Sequence, residues 1–293
     1  MEQWQSAFET PPDWTGCVVT IGSFDGVHRG HQAVVRLAVA RARSLGLPSV
    51  VLTFDRHPRS VVRAGQAPAQ LTTAGERARL LAGLGVDYLI TQPFTDRFAA
   101  LTPGDFVQSV LVDGLNASLV VEGADFRFGR FAAGGVDDLA ALGIIHGFSV
   151  EVLELRAAGS YAGAAYSSTL ARGLIAAGDL LGAREVLGRP HRIAGVAGRA
   201  ARPSAGRGRL AVRPAPYAAL PTPGVYRGTL HLDGVALPAR LLVRPDAGEP
   251  GEVQVEVRDE GAGLAAVGDV SLDFLARIAA PAADPMRPAG ILP

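Results

Sequence analysis

The 293-residue sequence predicts an α/β fold, in which a parallel sheet with helices on both faces precedes a small antiparallel β-barrel-like domain. Short apolar, β-branched segments alternate with segments whose apolar residues recur at helical spacing, which is typical of a parallel sheet. The apolar segments are nearly continuous, as expected of strands buried on both faces. Beyond residue 224, apolar and polar residues alternate singly between turns, which predicts antiparallel strands in a barrel or a sandwich.

The first part of the chain alternates between strand and helix. Strands are predicted at residues 17–22, 49–54, 86–91, 117–123 and 148–155. Helices are predicted at 31–46, at 73–84, from Thr102 to about Asp113, and as a pair at 167–178 and 179–188. Gly46 suits a C-cap, and Thr102 followed by Pro103 has the pattern of an N-cap before a proline at the first helical position.

The loops at one edge of this sheet are predicted to hold the ligand. In open parallel sheets, ligands bind beyond the carboxyl ends of the strands. The loops after Gly22, Phe54, Thr91 and Glu122 follow such ends, so we expect them to share one rim and one cleft.

A second domain is predicted to follow, with residues 1–188 forming the first domain and residues 189–293 the second. Residues 195–224 are rich in Gly, Pro, Ala and Arg without a clear period, which predicts an irregular segment. Strands are predicted at 224–232, 235–245 and 251–259, and a closing helix at 271–280. Residues 279–293 are predicted to be disordered.

The composition excludes several classes of protein. Apolar residues make up 48% of the chain, and 28 arginines balance 28 acidic residues, so neither nucleic acid nor an anionic membrane is an expected partner. The absence of lysine excludes Schiff-base chemistry and a P-loop lysine. The single cysteine, Cys17, cannot form an internal disulfide and suits a reducing cytosol. An acidic start broken by prolines, and no apolar run of about 18 residues, predict a soluble, cytoplasmic protein.

The segment TIGSFDGVHRGH at residues 20–31 carries the clearest chemical signal. His28 and His31 lie either side of Gly30 at the start of a predicted helix, where the positive end of the helix dipole suits a phosphate chain. Two ordinary surface or capping histidines are the alternative. A zinc site would need a third ligand, and none stands at a suitable spacing, so no protein-built metal site is predicted. Mg²⁺ carried on a nucleotide fits the motif better.

The segment SSTLAR at residues 167–172 is the second signal. Hydroxyl groups that open a helix can cap it or donate to phosphate oxygens. Arg172, one turn into the helix, can bind a phosphate through two N–H groups. Helix capping alone is the alternative for this segment.

These two motifs are joined by similar stretches at 52–62, 81–94, 122–130 and 180–195. Together they resemble the bacterial bifunctional riboflavin kinase/FMN adenylyltransferase family, also called FAD synthetase, over nearly all of residues 17–192. The resemblance implies a Rossmann-like nucleotidyltransferase domain of the HxGH class. It also implies the conversion of FMN and MgATP to FAD and pyrophosphate, by in-line attack of the FMN phosphate on the α-phosphorus of ATP.

The resemblance further implies roles for individual residues. The side chains expected to act on the ATP phosphates during the reaction are His28, His31 and Arg172. The expected nucleotide-binding residues are Gly22, Ser23, Phe24, Asp25, Gly26, Gly30, Ser167, Ser168 and Thr169. The expected flavin-binding residues are Phe54, His57, Pro58, Asp125, Phe126, Arg127 and Phe128. Two phenylalanines flanking an arginine suit a flat ring with a phosphate tail, and a core-packed phenylalanine pair is the alternative.

The sequence departs from the family at two places. The family usually has asparagine where this chain has Ser23, and serine still forms a hydrogen bond with shorter reach. The family's kinase domain carries a Gly-x-Pro-Thr-Ala-Asn motif that holds the Mg-nucleotide, whereas residues 206–220 read GRGRLAVRPAPYAAL. Glu252 or Glu256 could remain as a catalytic carboxylate, but without the hydroxyl and amide it would face no aligned phosphoryl donor.

The sequence therefore predicts an FMN adenylyltransferase whose riboflavin kinase activity is lost. One alternative is a related nucleotidyltransferase acting on a modified flavin or another phosphate acceptor. Another is a non-catalytic protein that binds flavin or nucleotide. The choice between ATP and CTP stays open, as do a homo-oligomer and the role of the C-terminal domain.

Overall fold

A computed structural model describes residues 1–11, 14–62, 67–154, 165–199, 207–244, 252–258 and 268–279. The chain forms two compact units, the first comprising Met1–Ala171 with Val186–Gly188 and the second Arg172–Glu185 with the residues from Arg189 onward. Residues 172–185 belong to the second unit and residues 186–188 to the first. The domain boundary at residue 188 stays a prediction.

The first unit contains a six-stranded parallel sheet with strand order β1-β4-β3-β2-β5-β6. Its strands are β1 (Glu2–Trp4), β2 (Cys17–Ile21), β3 (Ser49–Phe54), β4 (Tyr88–Gln92), β5 (Ala117–Gly123) and β6 (Ser149–Leu153). The predicted parallel sheet is confirmed. The short edge strand β1 was not predicted from the sequence.

Eight α-helices accompany the strands among the described residues. They are α1 (Arg29–Leu45), α2 (Pro58–Val62), α3 (Ala74–Ala82), α4 (Asp96–Ala99), α5 (Pro103–Phe106), α6 (Val136–His146), α7 (Ser168–Ala177) and α8 (Leu180–Leu187). Gly46 caps α1 with φ 67°, a left-handed conformation that glycine adopts readily. Thr102 caps α5, and the chain continues as a π-helix over Val107–Gly114. Helices α2, α4 and α6 were not predicted.

The helices cover both faces of the sheet, which explains the nearly continuous apolar strands. Successive residues of a strand face opposite sides. Val50 packs in the same cluster as Phe106 of α5, whereas its neighbour Val51 packs in the cluster that holds Val35 of α1. Every residue of β2 and of β3 is buried.

The second unit contains a closed antiparallel barrel with strand order β10-β11-β8-β7-β12-β9, which confirms the predicted barrel-like domain. Its strands are β7 (His191–Arg199), β8 (Arg207–Pro214), β9 (Gly224–Leu232), β10 (Val235–Val243), β11 (Val253–Arg258) and β12 (Gly268–Ala279). A barrel of this kind leaves no unpaired sheet edge.

Two sequence predictions for this unit are wrong. Residues 195–224 are not irregular throughout, because they include most of β7 and all of β8. Gly195 marks a close approach of two strands, since a Cβ there would lie 2.5 Å from the Arg213 carbonyl oxygen. The predicted closing helix is instead β12, in which Val270, Leu272 and Phe274 alternate inward and are buried. Of the predicted disordered tail, Ala279 ends β12 and the remainder lies outside the described residues.

In the described part of the chain, no helix combines the length and apolar character needed to span a membrane.

Candidate active site

A cavity of about 660 Å³ lies at the carboxyl edge of the sheet in the first unit. It is lined by Gly22 and Ser23 after β2, by Phe54 and His57 at the end of β3, by Phe94 after β4, and by Phe126, Arg127 and Phe128 after β5. The prediction that these four loops share one rim is therefore confirmed.

The walls of this cavity are mainly aromatic. Phe54 contacts Phe94 edge-on, with ring centroids 5.0 Å apart, and Phe126 stacks on Phe128 with centroids 5.6 Å apart and an interplanar angle of 12°. Phe128 is buried and belongs to the core, so the core-packing interpretation holds for that ring. Phe126 is only half-buried and offers a surface to a flat ligand.

Two cations line this aromatic cavity, Arg59 of α2 and Arg127 of the loop after β5. Both residues are exposed to solvent. His57 and Pro58 also line it, and the His57 ring nitrogen Nδ1 accepts from the Arg59 amide at 3.2 Å. Asp125 is exposed and is not one of the lining residues, and its predicted role in flavin binding stays a prediction.

The histidine motif forms the N-terminus of α1. His28 is the N-cap and is buried, and its Nδ1 accepts from the His31 amide at 3.3 Å. The two imidazole rings stack with centroids 3.6 Å apart, and the edge of Phe24 packs on His31 at 5.0 Å. Gly30 is buried in the first turn. The capping interpretation thus holds for His28, while both rings are also brought together at the positive end of the helix.

His31 has a pKa well below its ordinary value of 6.5, because the ring is removed from water and because His28 lies beside it. It is therefore neutral at pH 7. Within the described residues, His31 Nδ1 is a buried polar atom without a hydrogen-bond partner. Such an atom gains free energy when a ligand supplies a partner.

The loop between β2 and α1 has an unusual backbone. Phe24, Gly26 and Val27 have φ angles of 46°, 82° and 39°, which places all three in the left-handed region. Gly26 is also confined sterically, since a Cβ there would lie 2.7 Å from the Leu71 side chain. This loop connects Gly22 at the cavity to His28 at the helix.

Asp25 holds this loop in place. Its buried carboxylate accepts from the amides of Leu71 and Thr72, each at 3.0 Å, and from the Thr72 hydroxyl at 3.2 Å. Ser168 Oγ donates to the Asp25 carbonyl at 2.8 Å, and the Gly26 amide donates to Thr72 Oγ1 at 3.0 Å. The Asp25 side chain is thus directed to the segment before α3, and its carboxylate fixes the loop conformation.

The second predicted motif opens α7. Ser167 Oγ accepts from the Leu170 amide at 3.1 Å, which is the bond expected of a helix cap. Ser168 contacts the loop through Asp25, and Thr169 is exposed. Arg172 belongs to the second unit, so its role on the ATP phosphates stays a prediction from the sequence.

Glu122 is a buried carboxyl group at the point where β2 and β5 separate. The backbone ladder between these strands ends at Val19 and Val120, and Glu122 Oε1 then accepts from the Ile21 amide at 2.6 Å. Burial raises the pKa of Glu122 well above 4.5, and Asp125 raises it further, against the opposing effect of the hydrogen bond from the Ile21 amide. The strand order reverses between β2 and β5, where sheets of this type bind ligands.

We expect Glu122→Gln to flatten the pH dependence of stability. A carboxyl whose pKa is raised on folding contributes stability that is complete below pH 4.5 and is lost as the pH rises through the folded-state value. The wild type should therefore lose up to about 1.4 kcal/mol per pH unit across part of the range above 4.5, and the glutamine variant should not. Thermal unfolding followed by tryptophan fluorescence between about pH 5 and pH 8 measures this.

Glu151→Gln provides the matched control. The hydrogen bond from Arg41 lowers the pKa of Glu151, so its contribution changes only below pH 4.5. An unchanged pH slope in Glu122→Gln, or an equal change in both variants, would contradict the assignment to Glu122.

A profile of the FAD synthetase family matches residues 10–169, which is more than half of the chain and includes the histidine motif and the first three residues of the second motif. The chain belongs to the FAD synthetase family. A relative from Pseudomonas fluorescens, named bifunctional riboflavin kinase/FMN adenylyltransferase, is 38% identical over 255 residues, covering 84% of this chain and 79% of its own. A relative of the same name from Escherichia coli K12 is 39% identical over 180 residues, covering 61% of this chain and 56% of its own.

The fold has a counterpart among solved structures. A crystal structure described as a macrolide-efflux protein from Streptococcus pneumoniae matches with a TM-score of 0.82 and 24% identity, over 97% of this chain and 92% of that chain. At this identity the match shows the fold alone.

Several members of the site were missed by sequence reasoning. Arg59 and the aromatic residues Phe94, Phe98 and Phe106 line the cavity but form no recognisable motif. Phe94 could have been found, because it closely follows Thr91, whose loop was predicted to lie on the rim. Arg59 lies within the family-like stretch at residues 52–62 and has no distinguishing feature in the sequence.

Proposed function

We propose that the chain is a cytoplasmic FMN adenylyltransferase that converts FMN and MgATP to FAD and pyrophosphate, and that its riboflavin kinase activity is lost. One observation carries the proposal. The loop that leads to His28 begins at Gly22 and Ser23, and these two residues line the same aromatic cavity as Phe126 and Arg127. A phosphate-binding helix terminus and a pocket for a flat ring therefore share a loop.

In the proposed reaction an oxygen of the FMN phosphate attacks the α-phosphorus of ATP. A new P–O bond forms as the bond to the β-phosphate oxygen breaks, and pyrophosphate leaves with those electrons. The protein supplies position and charge stabilisation, without a covalent intermediate. His28 and His31, at the positive end of α1, would bind the ATP phosphates and stabilise the charge that develops on them. Because His31 is neutral at pH 7, it can donate one ring N–H to a phosphate oxygen.

The flavin is proposed to occupy the cavity. The cavity volume, about 660 Å³, falls in the range of small-molecule binding sites. Phe54 and Phe126 would pack on the ring system, and Arg59 and Arg127 provide positive charge for the phosphate tail.

Magnesium is proposed to enter as part of the MgATP substrate. Within the described residues, no group of three or more His, Cys, Asp or Glu side chains is placed to hold a metal ion. These residues do not fit a resident metal site, so no step is assigned to one.

The barrel supports the proposed loss of kinase activity. A cavity of about 730 Å³ in this unit is lined by Arg213, Pro214, Ala215 and Pro216, where the family motif would supply threonine and asparagine. Glu256 lies within 3.6 Å of Arg240, and Glu252 is exposed, so neither glutamate has the setting of a buried general base. The retained barrel is left without an assigned activity.

A paired assay tests both parts of the proposal. The purified chain is incubated with MgATP and either FMN or riboflavin, and the flavins are separated by chromatography. We expect FAD from FMN and no FMN from riboflavin. Conversion of riboflavin would overturn the loss of kinase activity. No FAD from FMN, in a protein that still binds ATP, would instead favour another acceptor or a non-catalytic binding role.

A further inference from the structure

Arg77 of α3 connects two loops of the candidate site. Its Nη1 donates to the Ser23 carbonyl at 3.2 Å and its Nη2 donates to the Phe54 carbonyl at 3.0 Å. Ser23 lies in the loop that leads to His28, and Phe54 ends β3 at the aromatic wall. Both residues line the cavity, whereas Arg77 itself does not. The planar Arg77 guanidinium thus connects the backbone of the loop before His28 to the backbone at the end of β3.

The surroundings of Arg77 hold the guanidinium in one place. Burial lowers its pKa, and the carboxylates of Asp25 and Asp55 act against that effect. The Ser23 carbonyl accepts a second hydrogen bond from Thr53 Oγ1 at 3.2 Å. A guanidinium presents its donors in a rigid fork, so two carbonyls bound to one fork keep a fixed separation.

We propose that Arg77 is a positioning residue for adenylyl transfer, which sets the distance between the loop that binds ATP and the strand end that binds FMN. The inference rests on the proposed function and adds a residue that touches neither substrate. Each substrate would still meet its own contacts without Arg77, but the FMN phosphate and the α-phosphorus would no longer be held in line. The loss should therefore appear in kcat and much less in KM, since a displacement near 1 Å can cost about 100-fold in rate.

Steady-state kinetics of three variants test this. Arg77→Met removes the fork with little change in side-chain length, and we expect kcat for FAD formation to fall about 100-fold with both KM values changed less than about 3-fold. Arg77→Lys keeps the charge but lacks the rigid fork, so its kcat should lie between those of Arg77→Met and the wild type. Arg79→Met is the matched control, because Arg79 lies on the same helix but is exposed and pairs with Glu76.

Each assay is run well below the unfolding temperature of the variant, so that lost stability does not register as lost rate. If Arg77→Met does not fold, Arg77→Gln takes its place, since glutamine is uncharged and keeps one amide donor. A wild-type kcat in the folded Met or Gln variant would overturn the inference and leave Arg77 a purely structural residue. A rise in KM without a fall in kcat would also overturn it. Absence of FAD from the wild type and from Arg79→Met would overturn the proposed function and this inference with it.

Discussion

Replacing His28 or His31 by alanine is expected to lower kcat for FAD formation by about 100- to 1,000-fold, with the affinity for FMN unchanged. The two rings stack at the N-terminus of α1, and neither lines the cavity proposed for the flavin. Their loss would therefore remove stabilisation of the phosphate charge while leaving the flavin contacts in place. Kinetics of FAD formation together with quenching of FMN fluorescence measure the two effects separately.

The capping role of His28 calls for a second substitution. His28→Ala also removes the N-cap bond to the His31 amide, which costs about 1 kcal/mol of stability. His28→Asn retains an acceptor for that amide and should fold as the wild type does, yet remain as slow as the alanine variant. His146→Ala, at the end of α6, serves as the control histidine and should be fully active. Full activity in His28→Asn would show that the first histidine only caps the helix.

Asp25→Ala is expected to lower the free energy of unfolding of the first unit by about 3 kcal/mol or more. Its carboxylate is the acceptor for the buried amides of Leu71 and Thr72, and each buried donor left without an acceptor costs about 1–3 kcal/mol. The left-handed turn at Gly26 would lose its anchor at the same time. The variant should thus lose activity together with stability.

Tryptophan fluorescence during urea unfolding measures this change in the right unit, because both tryptophans, Trp4 and Trp14, lie in the first unit and pack on each other at 5.3 Å. Asp113→Ala is the control, since Asp113 is exposed and accepts from the exposed Gln108 side chain. That control should change stability by less than about 0.5 kcal/mol. Equal unfolding midpoints for Asp25→Ala and the wild type would contradict the anchoring role of the carboxylate.

The sheet could be predicted because its physical cause is local. Strands such as β2 and β3 are buried on both faces, so every residue in them is apolar or small, and the pattern is visible in a single segment. Because the strands are parallel, the four loops that follow them lie at one edge of the sheet, so the rim can be predicted without knowing the position of any side chain.

The barrel was harder to predict because its glycines and alternations have tertiary causes. Gly195 is needed because β8 packs too close to leave room for a Cβ, and the sequence of the segment itself does not reveal that contact. In β12, Phe274, Leu275 and Ile278 occur at helical spacing and obscure the alternation that precedes them. The alternation of apolar and polar residues from Val270 to Phe274 is the pattern that indicates a strand here.

Two supporting residues of the site, Arg77 and Glu122, could not be predicted from the sequence. Arg77 looks like an ordinary arginine on an amphipathic helix, and its two carbonyl partners lie 54 and 23 residues away in sequence. Glu122 is the penultimate residue of an apolar strand and accepts from the Ile21 amide, 101 residues away. Motifs reveal groups that meet the substrate, whereas residues that position those groups depend on contacts that only the folded chain makes.

Isotope transfer from ATP tests the proposed activity most directly. The purified chain is supplied with FMN and MgATP labelled with ³²P at either the α- or the γ-phosphorus, and the flavin and pyrophosphate are counted separately. Adenylyl transfer predicts that α-label appears in FAD and γ-label in pyrophosphate, in equal molar amounts. γ-Label in a flavin, or α-label absent from the flavin fraction, would contradict the proposed reaction.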